Sequence, residues 1–329
     1  MKLTSLEICA GAGGQALGLE RAGFEHLAVL ELDPHACATL KKNRPKWNIL
    51  EEDVHKFHAH KFKGLDLFAG GVPCPPFSKA GKQLGYLDDR DLFPQALRLI
   101  GECKPRAVML ENVRGFLDPK FTGYRSELQR QLEKWGYKVF WKLLHASDFG
   151  VPQLRPRTLL VALQKPYAAN FEWPEPGTRM HRTVGKVLLK EMSKNGWKGT
   201  KDWSKKANSI GPTLVGGSKK HGGPDLGPTR AKLAWTKLYV DGKGIADEPP
   251  MPSFKGMPRL TVSMTALLQG FPLSWKMTGK KTNAYRQVGN AFPPPVAEAV
   301  GKSIALALNT PSKPGKTKSA RLPSQLATA

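Results

Sequence analysis

The sequence predicts an α/β protein: a mostly parallel, doubly wound sheet with a smaller irregular domain set into the chain after it. Three observations carry this. In the first half, short apolar strand-like runs alternate with helix-compatible stretches, the pattern of a parallel sheet with helices on both faces. From about Lys165 to Pro258 the chain turns rich in Gly, Pro, Lys and Trp and loses clear periodicity. Regular patterning then returns in RLTVSMTALLQGF and PPPVAEAVGKSIALAL. The expected division is therefore one domain from 1–164 and 259–308, a second from 165–258, and a polar, basic, Pro-containing tail at 309–329 that reads as disordered.

The elements follow in order. LTSLEICA is an apolar run that ends at the glycines of GAGG, and QALGLERAG after it suits a helix closed by Gly23. HLAVLEL reads as the next strand; Asp33 can cap and Pro34 can open the helix DPHACATLKKN. LDLFAGG is a further strand. DLFPQALRLIGEC sets Leu92, Ala96, Leu99 and Ile100 on one helical face. RAVMLENV is a buried strand, and YRSELQRQLEKWG carries the stripe Leu128, Leu132, Trp135 before Gly136. YKVFWKLLHA and RTLLVALQ complete the strand series. Trp197, Trp203 and Trp235 read as packing residues of the middle segment.

Charge narrows the partners. Lys and Arg total 51 against 27 Asp and Glu, a net +24, an excess that favours a polyanion, nucleic acid above all. No apolar run approaches the roughly 20 residues of a membrane span, and the N-terminus lacks the pattern of a signal peptide. A cytoplasmic protein without a membrane partner is expected. Cys9, Cys37, Cys74 and Cys103 are scattered, with no C-x-x-C pair. This argues against a structural zinc site or a disulfide framework, and no metal is expected.

In such folds ligands lie at the carboxyl ends of the strands, where Gly11–Gly14, Glu31, Cys74 and Glu111 fall. Gly11, Gly13 and Ala16 fit G-x-G-x-x-A, a turn that lets backbone approach a ligand closely. Glu31, at the end of the next strand, can accept ribose hydroxyls, and Asp53 can accept from an adenine amino group. These residues point to an adenosine cofactor without separating NAD from the others.

GGVPCPPFS holds Cys74 among Pro73, Pro75 and Pro76, which stiffen the loop. Beside an adenosine cofactor, a thiolate suits covalent catalysis on a pyrimidine: attack at C6 makes C5 nucleophilic toward an electrophilic methyl. That chemistry needs an acid at N3 and cations near the ring. Glu111, at the end of a buried strand, is the candidate acid, its pKa raised by apolar surroundings. Arg155 and Arg157, two residues apart, would share one face if extended. One suits the thiolate and the other the pyrimidine O2. Each has a bland alternative taken alone: a buried thiol, a Glu111–Arg114 pair, surface arginines.

On these residues the chain resembles the bacterial-type DNA (cytosine-5)-methyltransferases. EICAGAGG is similar to the family's first motif, ELD to its second, GGVPCPPFS to its catalytic loop, ENV to the motif of the N3 acid and QLRPR to Q-x-R-x-R. RLTVSMTALLQGFP and YRQVGNAFPPPVAEAV resemble its last two motifs. The likeness covers Leu3–Leu163 and Arg259–Leu306. It implies the S-adenosylmethionine-dependent methyltransferase sheet and S-adenosyl-L-methionine as donor. Gly11, Gly13 and Gly14 would cradle the donor, with Glu31 on the ribose, Asp53 on the adenine, and Pro73 and Asn290 in the same pocket. It further implies Cys74 as nucleophile, Glu111 at N3, Arg155 and Arg157 beside the base, and Asn112 as a brace of the catalytic loop. The segment 78–90 would close over a flipped-out cytosine.

The segment 165–258 stands where the family keeps its target-recognition domain. Ser78, Lys79, Lys219, Lys220, His221, Arg230 and Lys232 are the candidate contacts to double-stranded DNA. A monomer is expected, with a cognate restriction endonuclease as a companion in the same host. Two positions depart from the family: Cys9 stands where an aromatic residue is frequent, and Met264 where a scaffolding Glu is usual. The family's tRNA-methylating branch carries a Cys-Phe-Thr signature that is absent here, and the intact Cys74, Glu111 and arginine pair speak against a mere binding protein. An NAD dehydrogenase fits only the glycine turn and Glu31.

Overall fold

The computed structural model describes residues 2–73, 91–177, 182–216 and 223–310. Seven strands form one sheet: β1 Leu3–Ile8, β2 Phe24–Glu31, β3 Ile49–Glu51, β4 Leu67–Gly71, β5 Ala107–Val113, β6 Tyr137–His145 and β7 Pro156–Gln164. Their order is β3-β2-β1-β4-β5-β7-β6, parallel except for β7, which runs antiparallel to both neighbours. The order reverses between β1 and β4, so a crevice opens beyond their carboxyl ends.

The helices are α1 Gly14–Arg21, α2 Pro34–Asn43, α3 Phe93–Cys103, α4 Thr122–Lys134, α5 Lys165–Ala168, α6 Val184–Met192, α7 Thr200–Lys206, α8 Thr229–Thr236, α9 Val262–Leu268, α10 Lys281–Asn290 and α11 Pro294–Asn309. Local chemistry explains their ends. Asp33 caps α2, accepting from His35 N at 2.8 Å, and Pro34 is its first residue. Thr183 caps α6 through Lys186 N. In α3 the buried face is Phe93, Ala96, Leu99, Ile100 and Cys103; Leu92 precedes the helix and is half-buried. In α4 Leu128 and Leu132 are buried, whereas Trp135 is 38% exposed and lies over Gly101 of α3.

Among its described residues, the segment predicted to be irregular carries four short helices, α5, α6, α7 and α8. Thr183-capped VGKVLLKEM is an amphipathic turn sequence that the surrounding Gly and Lys content masks. Trp197, Trp203 and Trp235 are buried, as expected of packing residues. Their cluster joins apolar residues of 184–245 to those of 260–291 and to Ala10, Ala12, Leu17, Val29 and Leu40 next to the sheet. Ala168 and Phe171, by contrast, pack with β7 and α11.

Met264 shows what its departure from Glu does. Thr261 caps α9, accepting from Met264 N at 3.2 Å, while the Met264 sulfur lies 3.5 Å from Thr261 N. A fully buried thioether thus takes the place of the carboxylate in a capping box, without bringing a charge into an apolar core.

Gly18 lets α1 and α11 touch. A Cβ there would stand 2.4 Å from Ala297 Cβ and 2.5 Å from Pro294 O. Gly18→Ala is expected to lower stability by about 1–3 kcal/mol through overpacking, despite a gain in helix propensity of about 1 kcal/mol. Gly123→Ala in α4, with nothing within 4 Å of the new Cβ, should be neutral or stabilising. Chemical denaturation of the two variants checks the contrast.

Candidate active site and donor cleft

The crevice at the strand ends is a cleft of about 280 Å³, near the lower end of the roughly 300–1,000 Å³ usual for small-molecule sites. Glu7, Cys9, Gly11 and Gln15 line one side, Glu31 and Asp33 another; Gly71 and Glu111 come from β4 and β5, Pro73 from just beyond β4, and Asn290 and Phe292 from α10 and the turn after it.

Of the three predicted glycines, Gly11 alone lines the cleft. Its φ of +54° is left-handed, a conformation glycine adopts cheaply. Gly13 and Gly14 serve packing instead. A Cβ on Gly13 would meet Leu40 at 2.5 Å, and one on Gly14 would meet the Phe292 carbonyl oxygen at 2.0 Å. The turn therefore borders the cleft at Gly11 and seats α1 against α2 and the last motif at Gly13 and Gly14.

Glu31 is held by three amides: Gly11 N donates to Oε2 at 2.7 Å, and Leu32 N and Asp33 N donate to Oε1 at 2.9 and 2.8 Å. A carboxylate accepts about four donors, so acceptor capacity remains for a ligand hydroxyl. Asp53 does not line the cleft; its Oδ1 accepts from His55 N at 2.9 Å and lies 2.8 Å from His55 Nδ1. These bonds hold its carboxyl below the usual range. Pro73 and Asn290 both line the cleft, as expected.

Glu7 is the residue that the sequence reading missed. It is fully buried, and neither carboxylate oxygen has a sound hydrogen-bond partner beyond the pull of the Ala16 backbone. Burial drives its pKa well up, and Glu31 adds to the rise. Gln15, also buried, leaves both side-chain polar atoms without partners. An orphaned carboxylate and an orphaned amide in one cleft fit a ligand bearing an ammonium and a carboxylate, as the methionine end of S-adenosyl-L-methionine does. The signal was in the sequence: Glu7 is the last polar residue of β1, aimed inward among apolar neighbours. Cys9, at φ +52°, shares the cleft; burial and the charges of Glu31, Glu7 and Asp53 push its thiol pKa up, so it stays protonated. The ring surfaces there come from Phe292 and His35.

Glu111 and Arg157 meet because β7 is reversed. Val113 faces Arg157 and Glu111 faces Leu159 in the register, so Glu111 and Arg157 are diagonal neighbours on one face. Arg157 Nε lies 2.8 Å from Glu111 Oε1, with both side chains almost wholly enclosed. Burial raises the Glu111 pKa, while the charges of Arg157 and Arg155 restrain the rise. Arg114 is not its partner. Asn112 Nδ2 donates to Val72 O at 2.8 Å, a brace at the root of the loop that holds Cys74.

Arg155 departs from expectation. It precedes β7, is fully buried, and donates to Leu214 O and Gly289 O, each at 2.8 Å. Its terminal donors are turned to backbone carbonyls rather than left free beside a base. Cys74, Ser78, Lys79, Lys219, Lys220 and His221 lie outside the described residues. Arg230 is exposed on α8, whereas Lys232 is paired with Asp225 at 2.7 Å, an ion pair that competes with phosphate contact. Among the described residues, one trio with metal-ligand chemistry comes together, His58, His60 and Glu102. It stands away from the cleft, and its carboxylate already accepts from Arg98 at 2.5 Å and Ala59 N at 2.6 Å. No helix of the described residues is long and apolar enough to cross a membrane.

The comparisons with known proteins agree with this geometry. Residues 3–306 match the family of C-5 cytosine-specific DNA methylases. The chain is 57% identical to Type II methyltransferase M.NgoMIV of Neisseria gonorrhoeae over 311 residues, covering 94% of this chain and 99% of that one. It is 56% identical to Type II methyltransferase M.NaeI of Lentzea aerocolonigenes, covering 93% and 76%. Its fold is similar to that of the S. pombe Dnmt2 methyltransferase, with a TM-score of 0.64 at 18% identity, covering 94% of this chain and 99% of that one. With a cleft at the switch point of the sheet and a buried acid–arginine pair beside it, the chain belongs to the C-5 cytosine-specific DNA methylases and is an S-adenosyl-L-methionine-dependent DNA cytosine-5 methyltransferase.

Proposed function

We propose that the chain methylates a flipped-out cytosine within a specific duplex DNA word, with Cys74 as nucleophile, Glu111 as the N3 partner and Arg157 as the cation that orients Glu111 and faces the base. The observation that carries this is a meeting of groups: Pro73, whose next residue is Cys74, lines the same cleft as Glu111, Glu31 and Glu7. S-adenosyl-L-methionine supplies an electrophilic methyl group when bound.

The residues divide the chemistry. The target base leaves the stack at a cost of a few kcal/mol. The Cys74 thiolate adds to C6, and the electrons released toward N3 are met by the Glu111 proton. C5 then takes the methyl while N3 returns its proton to the Glu111 carboxylate; a water takes the C5 proton, and the thiolate is expelled as the C5–C6 double bond reforms. Arg157 holds the Glu111 carboxyl in one orientation. Glu7 and Gln15 hold the amino-acid end of the donor, and Glu31 a ribose hydroxyl. The names of the relatives at 56–57% identity further support the modification half of a Type II restriction system. On this reading the enzyme acts as a monomer on DNA in the cytoplasm, with a cognate endonuclease as companion. The segment 165–258 would carry DNA recognition, with Arg230 exposed for phosphate contact and Lys219, Lys220 and His221 as further candidates. Bisulfite sequencing of DNA from an expressing host reads the recognised word; scattered, word-free methylation would count against a sequence-specific enzyme.

Cys74→Ala is expected to reduce tritiated-methyl transfer to plasmid DNA to background, and 5-fluorocytosine in the target should trap wild-type protein covalently on the DNA. Transfer at the wild-type rate by the variant would sink the covalent route. Glu111→Gln should cost about 10²–10⁴-fold in kcat/KM. Because the protonated carboxyl is the working form and its pKa is raised, wild-type activity should fall as pH rises through that pKa. The variant's pH profile should lack that limb. Glu7 makes a third expectation. Its raised pKa leaves it protonated in the free protein as pH is lowered, and pairing with an ammonium requires the carboxylate. Binding of S-adenosyl-L-homocysteine should then release a proton, increasingly so toward acid pH. Calorimetry in buffers of different ionisation heat checks this, with Glu7→Gln abolishing the release.

A further inference from the structure

The backbone around Leu214 is held from both sides by two residues of the segment before β7. Gln153 Oε1 accepts from Leu214 N at 2.8 Å, and Arg155 Nη1 donates to Leu214 O at 2.8 Å. The neighbouring backbones zip together: Gly211 N donates to Pro152 O at 3.0 Å, Leu154 N to Gly211 O at 2.7 Å, and the Thr213 hydroxyl to Leu154 O. The same two side chains reach the other way. Arg155 Nη2 donates to Gly289 O at 2.8 Å, and Gln153 Nε2 donates to Leu268 O at 3.1 Å and to Gln269 Oε1 at 2.7 Å. Gln269 in turn donates to Ala291 O.

Two glycines complete the contact. A Cβ on Gly216 would stand 2.5 Å from Arg286 O and 2.6 Å from Asn290 Oδ1; one on Gly289 would stand 2.2 Å from Gly216 N. The backbones of 216 and 289 therefore lie directly against each other, and the neighbour of that contact is Asn290 of the donor cleft. Arg155 carries its charge without solvent. Burial and Arg157 both work against that charge, and Glu111 supports it. A planar fork satisfying two carbonyls is something an arginine does and a lysine does not.

We propose that Arg155 and Gln153 are positioning residues that fix segment 213–216 onto the end of α10, so that the seating of DNA and the seating of the methyl donor are coupled through Gly216 and Asn290. This rests on the reading of 165–258 as the DNA-recognising segment. Lys219, Lys220 and His221 follow Gly216 by a few residues in the sequence and lie outside the described residues.

The test is steady-state kinetics of the full chain on plasmid DNA with tritiated donor, for Gly216→Ala, Gln153→Met and Arg155→Lys. Each variant should raise KM for DNA and KM for the donor together, by roughly tenfold for the loss of one or two buried hydrogen bonds, with kcat within about threefold of wild type. Arg155→Lys separates charge from geometry. If Arg155 acted by its charge on thiolate or base, lysine would retain both KM values. A fall in kcat with both KM values unchanged would overturn the positioning role, as would wild-type constants throughout. A rise in the DNA KM alone would refute the coupling. A rise in the donor KM alone, with DNA binding untouched, would show that 213–216 does not serve recognition; the reading of 165–258 and the coupling would then fall together, while Cys74 and Glu111 chemistry would stand. If Gly216→Ala does not fold, the other two variants carry the same comparison.

Discussion

A carboxyl group enclosed at the end of a parallel strand needs a cation beside it or it is held neutral, and a neighbouring strand that begins at that same edge must run the other way. The reversed β7 meets that requirement. It brings Arg157, at its start, to the edge where β1, β4 and β5 finish, and the diagonal register sets its guanidinium against Glu111. The pair leaves Glu111 between two states: burial favours the proton, Arg157 favours its loss. A group balanced in this way gives up or takes a proton more readily than one fixed in either form. The antiparallel strand is thus a chemical feature of the sheet as well as a topological one.

The cleft is acidic where the whole chain is basic. Glu7, Glu31 and Asp33 converge within a protein of net charge +24. A cationic donor and a polyanionic substrate need opposite fields, and the fold separates them: the carboxylates face the crevice between β1 and β4, while exposed basic residues such as Arg230 lie outside it.

Much of this was legible in the sequence because it depends on local chemistry. Asp33-Pro34 announces a capped helix, alternating apolar runs announce a parallel sheet, and the series of motifs from EICAGAGG to QLRPR announces the family. What could not be read depends on contacts between distant segments. Nothing near Gly13 and Gly14 says that Leu40 and the Phe292 carbonyl occupy the space their side chains would need. Nothing near Arg155 says that its terminal donors go to Leu214 and Gly289, and two-residue spacing gave it the same face as Arg157 without giving it the same task. Glu7 escaped notice because a lone acid in an apolar strand looks like noise until its missing partners are seen. Of the helices of 184–236, α7 and α8 escaped because short helices stabilised by a shared core leave little periodicity of their own, and α6 because Gly and Lys around it mask its apolar face.

That shared core has a consequence for how such enzymes diversify. The apolar side chains of 184–245 interleave with those of 260–291 and with residues beside the sheet, so the middle of the chain is not a detachable cassette. Grafting it whole from one enzyme into another would leave mismatched surfaces on both halves. Exposed positions such as Arg230 on α8 stand clear of that core, so a side chain there can change without the packed helices having to move.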